Sequence, residues 1–166
     1  MWFFKKQTSL VGSGILEGFT DYHSHILPGV DDGVQTLDES LYVLDCLEKL
    51  GVQSIWLTPH IMEDFPNTSY IPVLAHPERY TYMNEKDYWR LKGMNVRFQL
   101  NLLSLVGAYG PEVRGKAEWL LKNGYYQLCG TDIHSLTLWK ESVMKKRISG
   151  NVSRMLQGII ATHFPG

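Results

Sequence analysis

Phe19-Thr20-Asp21-Tyr22-His23-Ser24-His25 is a short β-prone run that stops on two histidines. Residues two apart on an extended chain face the same way, so both imidazoles can reach one point. Downstream, Thr36-Leu37-Asp38-Glu39 has the form of a capping box and opens a helix. Leu41, Leu44, Leu47 and Leu50 line one face of that helix, and Gly51 stops it. Residues 52–58 then read as an apolar, β-branched strand leading to His60, and residues 71–75 as another ending at His76. Asn84 caps a helix through residue 92, closed by Gly93, and residues 95–100 return to strand character. Pro111 suits the first turn of a helix that runs to Asn123, with Gly124 as its stop. Residues 125–129 form a last strand before Asp132 and His134, and residues 138–160 read as helix interrupted at Ser149-Gly150.

Strands alternating with helices imply parallel strands and an α/β fold. In such sheets and barrels, ligands gather at the carboxyl ends of the strands. His23, His25, His60, His76, Asp132 and His134 all fall at such ends, which scattered structural histidines would have no reason to do.

The chain of 166 residues is 44% hydrophobic, enough for one domain with a real core. Residues 1–17 read as a mobile leader, because Ser9, Gly12, Ser13 and Gly14 give little to bury, and residues 18–166 as the single domain. A formal charge of -1 argues against nucleic acid as the main partner. No apolar run approaches the roughly 18 residues that span a bilayer, so membrane insertion is not expected. Trp2, Phe3 and Phe4 precede two lysines, a stretch too short and in the wrong charge order for a signal peptide. The expected location is the cytoplasm.

Each motif carries a chemistry. Neutral imidazoles such as those of His23 and His25 suit manganese, iron and zinc. Asp31-Asp32-Gly33 has the form of a turn, but it also places Asp32 as a ligand or as an acceptor that orients an imidazole. Thr58-Pro59-His60 sets a histidine where a strand leaves the sheet. In Ala75-His76-Pro77-Glu78-Arg79, His76 can bind metal and Arg79 offers a planar donor fork matched to phosphate oxygens. The plainer reading of Glu78 and Arg79 is a pair of solvent-exposed ion pairs. Asp132 and His134 put a carboxylate and an imidazole on one face, the mixed donor set of a hydrolytic manganese or zinc site. Tyr80, Tyr82, Trp89 and Tyr109 are candidates for a pocket wall.

One connection fails on geometry. A parallel crossover needs roughly a dozen residues or more, yet only residues 61–70 separate the strand before His60 from the strand before His76. Either those strands are not parallel neighbours, or a chain segment is missing near residues 67–69. The second reading is preferred.

Taken in order, His23-Ser24-His25-Ile26-Leu27-Pro28-Gly29-Val30-Asp31-Asp32-Gly33, Thr58-Pro59-His60, Leu74-Ala75-His76-Pro77-Glu78-Arg79-Tyr80 and Gly130-Thr131-Asp132-Ile133-His134 form a specific set. They closely resemble the manganese-dependent protein tyrosine phosphatases of bacterial capsule and exopolysaccharide loci, in the polymerase-and-histidinol-phosphatase (PHP) superfamily. Asn101-Leu102-Leu103-Ser104-Leu105 also fits that family. The resemblance implies a distorted (β/α)7 barrel with two or three Mn2+ ions, iron or zinc being alternatives. It implies His23, His25, His60, His76, Asp132 and His134 as metal ligands, Asp32 as support and Arg79 as phosphate ligand. The implied substrate is the phosphotyrosine tail of a membrane-associated tyrosine kinase, hydrolysed by hydroxide that the metals generate from water. His134 is then a candidate proton donor to the leaving oxygen. The oligomeric state is left open.

Two departures stand out. The family supplies two glutamate ligands between its second and third histidine motifs, and nothing here matches them; Glu63 lies too near His60. A second arginine expected after the last motif is not found in Ser135-Leu136-Thr137-Leu138. A thiol-based phosphatase is excluded, since Val52 and Ser135, not arginine, stand six positions after Cys46 and Cys129. The rivals are a small-molecule phosphatase of the histidinol-phosphate kind and a non-catalytic, metal-poor binding module.

Overall fold

The computed structural model describes residues 7–58 and 72–161. Strand β1 (Gln7–Thr8) comes first, followed by β2 (Thr20–Ser24), helix α1 (Leu37–Lys49) and β3 (Ser54–Leu57). Then come β4 (Val73–Ala75), α2 (Glu85–Gly93), β5 (Arg97–Asn101) and the one-turn α3 (Leu102–Leu105). The chain continues through α4 (Pro111–Lys122), β6 (Tyr126–Gly130), α5 (Leu136–Lys140), β7 (Ile148–Ser149) and α6 (Gly150–Ala161).

The caps foreseen in the sequence are built. Thr36 accepts a hydrogen bond from the Glu39 amide at the start of α1. Asn84 and Asp87 cap α2 reciprocally, a full capping box. The stop of α2 lies slightly later than expected: Gly93 is still helical, and Asn95, at φ 59°, turns the chain. Asparagine tolerates that left-handed conformation because its side chain can bond locally.

Parallel pairing dominates. β2 pairs with β3, β4 with β5, and β5 with β6, all parallel. A parallel bridge from Ser24 to Ile133 joins the two groups, and the Asp132 amide donates to the His23 carbonyl at 2.8 Å. The resulting order is β3-β2-β6-β5-β4, an arc of five parallel strands. Among the described residues β3 and β4 do not pair with each other, and the arc does not close into a ring. The two strands flanking the short connection are therefore not bonded neighbours, while the junction near residues 67–69 lies outside the described residues.

Phe98, Leu100, Leu120, Cys129, Trp139 and Leu156 fill the interior, each almost fully buried. Burial of one such large apolar side chain contributes about 1.5–3 kcal/mol. Two sequence expectations fail here. Over residues 7–17 the leader is built into the fold, with Leu10, Ile15 and Leu16 in the core and β1 paired antiparallel with β7. The Ser9 and Gly14 region, which suggested looseness, forms the turns that deliver those side chains; residues 1–6 lie outside the described residues. On α1 the buried stripe is Ser40, Val43 and Leu47, whereas Leu41 and Leu44 are exposed. No helix among the described residues is long and apolar enough to cross a membrane.

Candidate metal centre

The carboxyl ends of β2, β4, β5 and β6 meet at one place. Asp21, fully buried in β2, accepts hydrogen bonds from the Thr131 amide at 2.8 Å, from the Thr131 hydroxyl and from the His23 amide at 3.1 Å. Burial raises its carboxyl to about 6, against the pull of those donors. It ties β2 to the segment after β6. Gly130 comes so close to His23, and Gly33 to His25, that a Cβ at either position would collide with the histidine. These two glycines let the chain segments close around the histidines.

His23 Nε2 and His25 Nε2 lie 3.1 Å apart, and each is 3.3 Å from Asp132 Oδ1. His134 Nδ1 is 3.6 Å from the same oxygen, and its ring stacks on His25 with centroids 3.8 Å apart. His76 joins from the end of β4, its ring centroid 5.4 Å from that of His23. Donor atoms of His23, His76 and Asp132 form one triad, and those of His25, Asp132 and His134 a second. A third joins His25 to Asp31 and Asp32.

The residues fit a cation centre on physical grounds. Ring nitrogens that face each other across 3.1 Å and share one carboxylate oxygen are arranged as ligands are. His76 Nδ1 is buried with no hydrogen-bond partner among the described residues, a costly state unless a ligand uses it. Burial, more than any other cause, lowers the pKa of His23 and brings His76 down to about 4, a direction that favours the neutral imidazole a cation needs. For His25, burial acts downward but the Asp132 and Asp31 carboxylates outweigh it and raise its pKa. Asp132 is pushed up by burial, and more strongly down by the surrounding histidines, ending below its ordinary value. The outer partners are in place as well: His23 Nδ1 meets Gln99 Oε1 at 2.9 Å, and His25 Nδ1 meets Asp31 Oδ2 at 2.6 Å. Thus Asp31 orients an imidazole, the part expected of Asp32. Asp32 itself is largely exposed, 3.5 Å from His134 Nε2.

Arg79 stands beside the cluster. Its Nη1 donates to Asp132 Oδ2 at 2.7 Å, and its guanidinium lies 4.6 Å from the centre of the Tyr109 ring. A cavity of about 230 Å³ opens here, lined by Asp32, Arg79, Tyr109, Asp132, His134 and Leu138 among others. Of the four aromatic wall candidates Tyr109 is placed there, while Tyr82 and Trp89 are exposed elsewhere. Glu78 corrects the solvent-exposed reading outright. It is buried and accepts from the Asn101 amide at 3.0 Å, the Ser104 hydroxyl at 2.8 Å and the Tyr126 hydroxyl at 2.8 Å. Burial raises its pKa, only partly offset by those donors.

The structure therefore brings together His23, His25, His76, Asp132 and His134, with Arg79 alongside and Asp32 at the rim. His60 and Glu63 lie outside the described residues. Asn101 and Glu78 belong to the same network but were not singled out as site residues. His76 at φ 37° and Asp132 at φ 53° are left-handed without being glycine, and backbone strain of this kind clusters at functional sites.

The family model described as "Capsular polysaccharide synthesis, CpsB/CapC" matches residues 19–69 and 62–154, two stretches that overlap over residues 62–69, between β3 and β4 in the chain. Among solved structures, the chain is similar to one from a set described as "Crystal structures of YwqE from Bacillus subtilis and CpsB from Streptococcus pneumoniae, unique metal-dependent tyrosine phosphatases". That likeness has a TM-score of 0.64 at 16% identity, covers 89% of this chain and 88% of the other, and shows a shared fold. No curated protein matches the chain. With the family model spanning most of the sequence, the chain belongs to the CpsB/CapC family of capsular polysaccharide synthesis.

Proposed function

We propose that this protein is a metal-dependent phosphatase that hydrolyses phosphotyrosine on a bacterial tyrosine kinase governing capsular or exopolysaccharide synthesis. The observation that carries the reading is the convergence of His23, His25 and His134 nitrogens on Asp132 Oδ1, with the Arg79 guanidinium on the other oxygen of the same carboxylate. Family membership supports it, as does the likeness to structures described as metal-dependent tyrosine phosphatases. His23, His25, His76, Asp132 and His134 would hold two or three ions, manganese first, with His60 a further ligand by its motif. Bound divalent cations lower the pKa of a water toward neutrality and offset charge on phosphoryl oxygens.

The chain's own residues do the rest. Arg79 binds a phosphoryl oxygen with its donor fork, and the face of Tyr109 keeps the guanidinium at the cavity. A water oxygen attacks phosphorus in line as the tyrosine oxygen leaves. A phenol has a pKa near 10, so little help is needed; His134, 3.5 Å from Asp32 at the rim, would supply a proton from Nε2 only in a state where its ring is protonated and not committed to a cation. The complete fold is proposed to be a distorted (β/α)7 barrel, with a wall segment near residues 67–69 absent from this chain, and the site of action the cytoplasm.

Metal removal tests the reading. A metal-free preparation should be inactive on a phosphotyrosine peptide and regain turnover with Mn2+; hydrolysis that persists after dialysis against excess chelator would rule it out. A second reading is favoured by the cluster among the described residues, whose carboxylates are Asp31, Asp32 and Asp132 alone: a non-catalytic module that binds little metal. Fewer than two equivalents of Mn2+ per chain, by elemental analysis of the loaded protein, would decide for it.

A further inference from the structure

Asp132 is shared by two of the ligand triads, and its two oxygens have different surroundings. Oδ1 faces His23, His25 and His134. Oδ2 accepts from Arg79 Nη1 and from Asn101 Nδ2, each at 2.7 Å. Those two donors are not equivalent. Asn101 is fully buried at the end of β5 and clamped on both sides: its amide donates to Glu78 at 3.0 Å, and its Oδ1 accepts from the Leu103 amide at 2.8 Å. Glu78 is itself fixed by Ser104 and Tyr126. The Arg79 side chain, by contrast, is 38% exposed and lies at the cavity with the Tyr109 ring beneath it.

We propose that Asn101 is a positioning residue of the metal centre: it keeps Oδ2 of Asp132 covered and Oδ1 turned toward the cations, so that Arg79 can leave Asp132 for a phosphoryl oxygen. The inference rests on the phosphatase reading above for the second half of that statement only. Left without Asn101, the carboxylate would have Arg79 as its remaining donor on Oδ2. Departure of Arg79 would then strand a buried acceptor, which is unfavourable, and leave the carboxylate to turn both oxygens to the cations. With Asn101 present the exchange strands nothing. The guanidinium has five N–H donors and can trade one partner for another. Glu78, buried and in no cation triad among the described residues, makes the holder rigid by fixing the strand end that carries Asn101.

Calorimetric titration of metal-free protein with Mn2+ reads this without turnover. Serine is as good a helix cap as asparagine, so Asn101→Ser keeps the start of α3 but cannot reach Asp132. Asn101→Ser is expected to bind Mn2+ about 10-fold or more weakly, the scale on which a fixed outer partner governs affinity, and Arg79→Gln within about twofold of the unaltered protein, since Asn101 still covers Oδ2 there. With phenyl phosphate as substrate, Asn101→Ser should raise KM more than it lowers kcat, because Arg79 has become the only donor on Oδ2. Unchanged Mn2+ affinity in Asn101→Ser overturns the proposal. So does a loss of about 10-fold in Arg79→Gln, a result available even where Asn101→Ser does not fold. Should the two variants rank as expected while the unaltered, Mn2+-loaded protein leaves phenyl phosphate intact, the holding role stands and the phosphatase reading falls.

Discussion

Close approach at single residues governs whether the cluster can assemble. A Cβ added at Gly130 would meet the side chain and amide of His23 together with the Gln99 amide nitrogen. Gly130→Ala should therefore cost about 1–3 kcal/mol, as overpacking does, measured by urea unfolding of metal-free protein, and should weaken Mn2+ binding in parallel. The two aspartates after His25 are expected to separate. Asp31→Asn removes the carboxylate bonded to His25 Nδ1 and should lower Mn2+ affinity about 10–100-fold, with Asp32→Asn, at the exposed rim, changing it far less. Equal losses in a metal titration would return the orienting role to Asp32. At this scale the convergence of His23, His25, Asp132 and His134 was legible, because ligand types recur two apart at strand ends, and His76 by its place at the end of β4; His60 lies outside the described residues. Asn101 and Glu78 were not legible. Their partners come from β6, from the turn after β4 and from α3, and no local spacing announces a contact between residues that far apart in the chain. Asp31 cannot be told from Asp32 in the sequence, because adjacent residues on a turn are indistinguishable until the backbone fixes which one points inward.

Element by element, helix starts could be read directly, since they are local chemistry: Thr36, Asn84 and Pro111 each begin a helix as expected. Helix faces were harder. Leucines at 41, 44 and 47 suggested one stripe, yet the arc buries Ser40, Val43 and Leu47, a face rotated from it. Polar Ser40 goes inside because its hydroxyl donates to the Ile26 carbonyl, a partner no periodicity reveals. Leu47→Ala should accordingly cost about 2–5 kcal/mol, while Leu41→Ala should stay within about 0.5 kcal/mol of neutral. Comparable denaturation midpoints for the two variants would mean that α1 sits differently on the arc. The lost leader has the same origin: Leu10, Ile15 and Leu16 are too irregularly spaced to register as an element, and only the turns between them bring all three inside.

Across the whole molecule, parallel strands are normally covered on both faces. Here Trp56 and Leu57 on β3 and Val73 on β4 are exposed, on the two strands that end the arc. An apolar terminal strand invites pairing with another chain. The protein should therefore associate as its concentration rises in sedimentation velocity, and Leu57→Lys should reduce that association; a monomer at all concentrations would mean the strand ends are otherwise protected. A cavity of about 840 Å³ lies inside the arc, touching Trp56 and Val73 from either end and His23 at its head. His23 thus borders one cavity while Arg79 and His134 line another, with Asp132 between them. Among the described residues, then, a cation held at His23 would meet a second opening on the flank of the arc. Phosphate seated on Arg79 would cover only the other mouth, so exchange of that cation should be little slowed by product.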